Sequence, residues 1–280
     1  MAFSMKDIKN RIKSVENTRQ ITKAMELVAV SKLRRARETV EKTRPYFEAL
    51  EQTISEIEGT LREGTTVFSE KREKKKACFV VIGGDRGLAG GYNQNVLKMA
   101  EEKAAEFEEV TVMPVGRKIE EFFSRRGYNL MSTKYIVAES VNIPDCLDIA
   151  KPICEGFADG KYDEVILFYT DFTSLMTQKA ESQSVLPFET KGGGAKSGLT
   201  IYEPSASAAL RSIVPLYISG MIYGALCESR ASEYAARQTA MNSANKNADE
   251  MISDLQLKYN RVRQTAITQE ITEIVAGAQE

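Results

Sequence analysis

Near the start of the chain, apolar residues recur every three or four positions: Ile8, Ile12 and Val15, then Ile21, Met25 and Val28, then Leu33, Ala36 and Val40. That spacing draws one stripe along an α-helix, with some drift in phase. Ser4-Met5-Lys6-Asp7 has the spacing of a capping box and predicts a helix start near Met5. Neither glycine nor proline falls between Met1 and Arg44. Pro45 then predicts an interruption, followed by a helical segment from Tyr46 to Ile57 that ends near Gly59.

The far end repeats the pattern. Ala248, Ile252, Leu255, Tyr259 and Val262 alternate steps of four and three, as a coiled-coil seam does. Ile267, Ile271, Ile274 and Ala278 continue it after a five-residue step, which turns the stripe so that the tip presents a different face. From Ala225 to Ala276 there is again no glycine or proline, and Gly277 stops the run. At about 1.5 Å per residue, such a helix reaches roughly 80 Å. A helix of that length needs a partner along its course, and the opposite terminus supplies one. The expectation is an antiparallel coiled coil of the two chain ends. Asn242, Asn245 and Asn247 are weak helix formers, so that stretch should depend on packing.

Between the ends the texture changes. Ala77 to Ile82 is a short continuous apolar run that predicts a buried strand, and Val110 to Val115 and Glu164 to Tyr169 are similar. Helical patterns lie between them, Asn95 to Phe107 and Lys118 to Arg126, and Ser182 to Phe188 predicts an added edge strand. Strands alternating with helices imply βαβ units and a mostly parallel, Rossmann-like sheet. Lys191 to Gly198, with three consecutive glycines, reads as a mobile loop. The predicted organisation is a coiled-coil helix over residues 1–58, an inserted α/β domain over 73–204 and a second coiled-coil helix over 206–280.

A net charge of −1 gives no global basic field of the kind that binds nucleic acid. The charge is unevenly placed, with twelve Lys/Arg against five Asp/Glu in residues 1–44 and six against eight in residues 216–280. That asymmetry favours pairing of the two ends. Cys78, Cys146, Cys154 and Cys227 show no CxxC spacing and the chain has no His, which argues against a zinc site or a His-based triad. Reduced, buried thiols are the expectation. No apolar run approaches the roughly 18 residues of a membrane span, and no signal segment is expected at the start. Membrane association must come through a partner.

Gly83-Gly84-Asp85-Arg86-Gly87-Leu88-Ala89-Gly90-Gly91-Tyr92-Asn93 follows a strand and precedes a helix, where phosphate loops sit. The phosphate loop also needs a Lys and a hydroxyl residue after its last glycine, and here Tyr92 and Asn93 stand there. The stretch therefore reads as a tight turn, and neither a nucleotide cofactor nor a metal is predicted. Lys32-Leu33-Arg34-Arg35-Ala36-Arg37 is a basic cluster, either a solvated face or a contact for an acidic partner. Lys71 to Lys76 reads as a polar linker before the first strand. Ile274-Val275-Ala276-Gly277-Ala278 is apolar and uncharged; a partner's socket accounts for it better than fraying does.

Four strings together resemble the γ subunits of F-type ATP synthases, the central rotor stalk: IKNRIKSVENTRQITKAMELVAVSKLRRAR from Ile8, GDRGLAGGYN from Gly84, ESRASEYAARQTAM from Glu228 and NRVRQTAITQEITEIVAG from Asn260. The resemblance spans essentially the whole chain and is closest to bacterial members. It implies a non-catalytic subunit that couples ion flow, of protons or sodium, to ATP synthesis or hydrolysis by turning inside a ring of α and β subunits. It further implies contacts with ε and a ring of c subunits at the inner face of the bacterial plasma membrane. Carried over by resemblance, Arg263 and Gln264 meet a catalytic β-subunit loop. Met25 lies near the acidic β lever and Arg237 is coupled to it. Tyr202 and Glu203 belong to the foot that meets ε and the c ring. With Lys32, Arg34, Arg35, Ile274 and Val275, these are the expected partner-interface residues. Two other readings stay open from the residues alone: a static coiled-coil scaffold, and an enzyme using the glycine-rich loop.

Overall fold

The computed structural model describes residues 4–60, 67–70, 72–132, 136–188 and 205–277. The Lys191–Gly198 loop predicted above lies outside them. By contact the chain divides into two compact units, one of Met1–Val30 with Arg237–Glu280 and one of Ser31–Ala236. Two helices run through both: α1 (Met5–Thr60) and α5 (Ala206–Gly277). At the start of α1, Lys6 N–H donates to Ser4 Oγ at 3.2 Å, and Asp7 sits in the first turn against the positive end of the helix.

Pro45 does not interrupt α1, contrary to the expectation. A proline inside a helix removes one backbone hydrogen bond and crowds the carbonyl four residues earlier. Pro45 is solvent-exposed, so neither effect falls on a packed face. Likewise α5 begins well before its breaker-free run and continues through Pro215, Gly220 and Gly224.

In the first unit the two helices pair antiparallel. Arg19 Nη1 donates to Asp249 Oδ1 at 2.6 Å, Thr22 bonds Asn245, and Asn242 bonds Glu26. Each step forward on α1 is thus matched by a step back on α5. The α5 seam runs through Met241, Asn245, Ala248, Ile252 and Leu255, all buried, and continues through half-buried Tyr259 and Val262. The α1 stripe departs from the prediction in its middle. Ile21 and Val28 are 62% and 54% exposed, and Thr22, Glu26 and Ala29 turn inward instead. The reason is Asn245, an amide on the seam that must be satisfied by polar groups opposite it. Its Nδ2 donates to Glu26 Oε2 at 2.7 Å, while its Oδ1 accepts from the Thr22 hydroxyl.

The second unit holds a five-stranded sheet in the order β3-β2-β1-β4-β5. The strands are β1 (Lys76–Ile82), β2 (Glu109–Val115), β3 (Asn129–Leu130), β4 (Glu164–Phe172) and β5 (Gln178–Leu186). All pairings are parallel except β4 with β5. The helices between are α2 (Tyr92–Ala104), α3 (Arg117–Arg125) and α4 (Ile143–Ala158), and α4 and β3 are elements the patterning did not predict. Alternate residues of β1 face opposite layers, as the pleat requires. Ala77, Phe79 and Val81 join α2 and α3, while Cys78, Val80 and Ile82 join α4 and the early part of α5. Pro114 is tolerated inside β2 because β3 stops pairing at Val112, so its missing N–H faces no strand. All four cysteines are buried and unpaired, and burial pushes the Cys78 thiol up to about 12. The coiled coil of both termini with an inserted Rossmann-like domain is what the chain forms.

Candidate functional site

From β1 the chain moves outward through β2 to β3, then α4 returns it to β4 on the other side of β1. In open α/β sheets, ligands bind beyond the carboxyl ends of the strands where the winding reverses. Gly83–Asn93 lies there, directly after β1. Several of its polar groups are engaged by this chain's own residues. Gly84 N–H donates to Asn93 Oδ1 at 2.8 Å, and Asn93 Nδ2 donates to the Arg86 carbonyl at 3.3 Å. The Asp85 carboxylate accepts the N–H groups of Arg117, Ala138 and Glu139, each at 3.2 Å. Arg117 opens α3, so Asp85 places a negative charge at that helix's positive end.

Over the same crevice lies α5. β4 runs past its last pairing with β1 at Phe168, which leaves the backbone of Thr170 without a strand partner on that side. Thr170 N–H donates to Ser229 Oγ, and the Ser232 hydroxyl donates to the Thr170 carbonyl, both at 3.1 Å and both buried. Arg230 reaches the other way: its Nε donates to the Ala138 carbonyl at 2.7 Å and its Nη2 to that of Val141 at 2.8 Å. The 138–141 segment is therefore held through its N–H groups by Asp85 and through its carbonyls by Arg230. A Cβ on Gly84 would stand 3.1 Å from the Glu233 carboxylate, so a larger residue there would make that side chain shift by a few tenths of an ångström.

The first helix joins at the same place. Lys32 Nζ donates to Glu139 Oε1 and sits 5.6 Å from the centre of the Tyr234 ring. That ammonium first, with Arg86 and the Tyr234 hydroxyl adding to it, holds the Glu139 carboxyl below the usual carboxylate range. Leu33 packs with Ala231, Tyr234 and Ala235, and Arg37 lies 5.8 Å from the Phe172 ring. Sequence reasoning passed over Asp85, Glu139, Ser229, Arg230 and Ser232 as individuals. The available signal was a pair of serines three apart beside an arginine on an otherwise apolar helix face.

The predicted partner-interface residues are not gathered into one pocket; they are strung along the two helices. In the basic cluster, Lys32 is half-buried against Glu139, whereas Arg34, Arg35 and Arg37 are exposed, Arg37 beside the Phe172 ring and Arg34 Nε 3.4 Å from Glu38 on the next turn. Met25 is half-buried beside Glu26. Arg237, also half-buried, stands on α5 between Tyr234 and Asn242. Arg263 and Gln264 are exposed, and Gln264 belongs to a polar strip with Arg261, Thr265, Thr268, Gln269 and Thr272. Continuing the Arg19–Asp249 register brings Ser4 opposite the turn of Arg263 and Gln264. Beyond it, α5 runs on with no α1 residue alongside among the described residues. Ile267, Ile271, Ile274 and Val275 are exposed there, Ile274 by 70%. Tyr202 and Glu203 lie outside the described residues. Among those residues, no helix is long and apolar enough to cross a membrane.

A Rossmann-like sheet against whose ligand crevice the chain's own helices pack, and an antiparallel coil with bare helical faces, define a coiled-coil protein with an inserted α/β domain. Comparison makes the class particular. The family model described as ATP synthase matches residues 4–279. The ATP synthase gamma chain of Ruminococcus albus is 48% identical over 280 residues, covering 98% of each chain. The gamma chain of Acetobacterium woodii, described as sodium ion specific, is 44% identical and covers 100% of this chain and 99% of its own. Among solved structures, the central stalk and c-ring assembly of the Tetrahymena thermophila mitochondrial ATP synthase contains a chain with a TM-score of 0.64. It is 26% identical and aligns over 80% of this chain and 99% of its own. The chain belongs to the ATP synthase gamma family, the central-stalk subunits of F-type ATP synthases.

Proposed function

We propose that this chain is a rotor that turns inside an α3β3 ring and couples transmembrane proton flow to ATP synthesis or hydrolysis at the β subunits. It contributes no catalytic residues of its own. It sits at the cytoplasmic face of a bacterial plasma membrane, held there through ε and the c ring, with Tyr202 and Glu203 in the foot that meets them. Arg263 and Gln264 contact a catalytic β loop, Met25 and Arg237 work near the acidic β lever, and Arg34 and Arg35 offer guanidinium forks to acidic partner groups.

The observation that carries this reading is the unequal dressing of the two helices in the coil. α1 bares Ile21, Leu27 and Val28, while α5 bares a polar strip around Gln264 next to the apolar Ile267, Ile271 and Ile274. A ligand shifts an equilibrium only by its differential affinity for the states. A rotor must therefore offer different faces to chemically identical catalytic subunits, and turning it changes which subunit meets which face. The bare apolar tip suits a bearing, because it lacks directional ion pairs that would hold one angle. The test is reconstitution with α and β subunits and a probe attached to this chain. Stepwise rotation of the probe during ATP hydrolysis is expected; hydrolysis with the probe stationary would overturn the rotor reading in favour of a static scaffold.

A further inference from the structure

The winding-reversal crevice of the sheet is filled by this chain's own helices, and the manner of filling goes beyond packing. Apolar contact is non-directional, so by itself it fixes the roll of a helix on a sheet less sharply than directional bonds do. Hydrogen bonds to fixed backbone groups are directional. Here Ser229 and Ser232 grip the backbone of β4 at Thr170, and Arg230 grips the 138–141 segment. Neighbouring helix residues point about 100° apart around the axis. α5 is thus anchored on two sides to two different pieces of the domain, and a rod held on two sides cannot roll. Asp85 fixes the second piece from behind, and Glu139 on that piece takes Lys32 of α1.

We propose that this juxtaposition (Ser229, Arg230 and Ser232 of α5 and Lys32 of α1, set against Thr170 and the 138–141 segment) is a torque-bearing joint that locks the α/β domain to both helices against twisting. The inference rests on the rotor reading and deepens it by naming where turning force passes within the chain. Arg230, Asp85 and Glu139 are positioning residues: they touch no nucleotide and act by keeping the helices keyed to the sheet. The joint also gives the glycine-rich loop a use. Asp85 braces the segment that α5 holds.

The test uses the whole membrane complex in liposomes and reads ions moved per ATP hydrolysed, a ratio that a loss of assembled complex leaves unchanged. Arg230→Met removes both carbonyl bonds while keeping an unbranched apolar stem, and Glu139→Gln removes the charge from the exposed link to α1. Arg230→Met should lower the ratio by roughly threefold, Arg230→Lys by less, and Glu139→Gln measurably, each because the keyed state is populated a smaller fraction of the time. If Arg230→Met fails to assemble, Glu139→Gln together with the Ser229→Ala, Ser232→Ala double variant decides. Variants that couple as tightly as a coupling parent overturn the joint alone. A parent complex that hydrolyses ATP yet moves no ions overturns the rotor reading, and the joint with it.

Discussion

Gly116 and Gly83 show how closely turns pass one another at the carboxyl edge of the sheet. Gly116 has a φ of 103°, and a Cβ there would run into the Gly83 carbonyl. Its own N–H donates to the Ile136 carbonyl at 2.8 Å, which aligns the segment that Asp85 then holds. Gly116→Ala is therefore expected to cost about 2–4 kcal/mol, combining strain at positive φ with a backbone collision. Urea unfolding checks it, and a loss below about 0.5 kcal/mol, the range of an ordinary surface change, would contradict the argument. From sequence, Gly116 was one glycine among 18, since what it must avoid comes from a turn more than thirty residues earlier. The same distance hid Asp85, whose three donors come from Arg117, Ala138 and Glu139. A side chain's partners are legible only when they are neighbours in sequence.

Within the coil, the layer formed by Thr22, Glu26, Asn242 and Asn245 sets the register. A slip by one helical turn would strand the buried Asn245 amide and the Glu26 carboxylate against apolar groups, a penalty apolar seams do not carry. The Lys23 ammonium, with the two asparagine amides adding to it, holds the Glu26 carboxyl below its free value of 4.5 despite burial. A carboxyl with a lowered folded-state pKa contributes stability that is present above 4.5 and lost as pH falls through the folded value. Melting of the chain followed by helical circular dichroism should therefore weaken below pH 4.5, and Glu26→Gln should weaken that dependence. A variant that titrates like its parent would show that other carboxylates carry the effect. The three-and-four spacing marked both helices and their pairing correctly, yet it put Ile21 and Val28 inside. Periodicity counts apolar residues, whereas the buried face also had to satisfy an asparagine. Pro45 misled for a related reason: the cost of a helical proline depends on which face it occupies, and only the folded chain assigns faces.

At the scale of the molecule, function lies in what is left bare. Ile274 and Val275 are 70% and 54% exposed on the last turns of α5, so a charge there meets water in the isolated chain. Ile274→Glu is expected to leave the melting of the purified subunit within about 2 °C of its parent. On the proposed rotor reading a partner's socket would desolvate the same charge, so the variant should lose assembly or ATP turnover by roughly tenfold. Equal incorporation and turnover in parent and variant would refute the tip as a seat. By itself the sequence determined most of the elements: two long helices built around breaker-free runs, strands whose apolar runs demand burial, and strings specific enough to indicate the family. Those are properties of spacing and composition, fixed by the geometry of helix and strand. Only the tertiary structure decided which polar groups meet, that the glycine-rich crevice receives the chain's own helices, and that Lys32 pairs with Glu139 while Arg34 faces water. Hydrogen bonds and close approaches join residues far apart in the chain, and no local pattern encodes such distances.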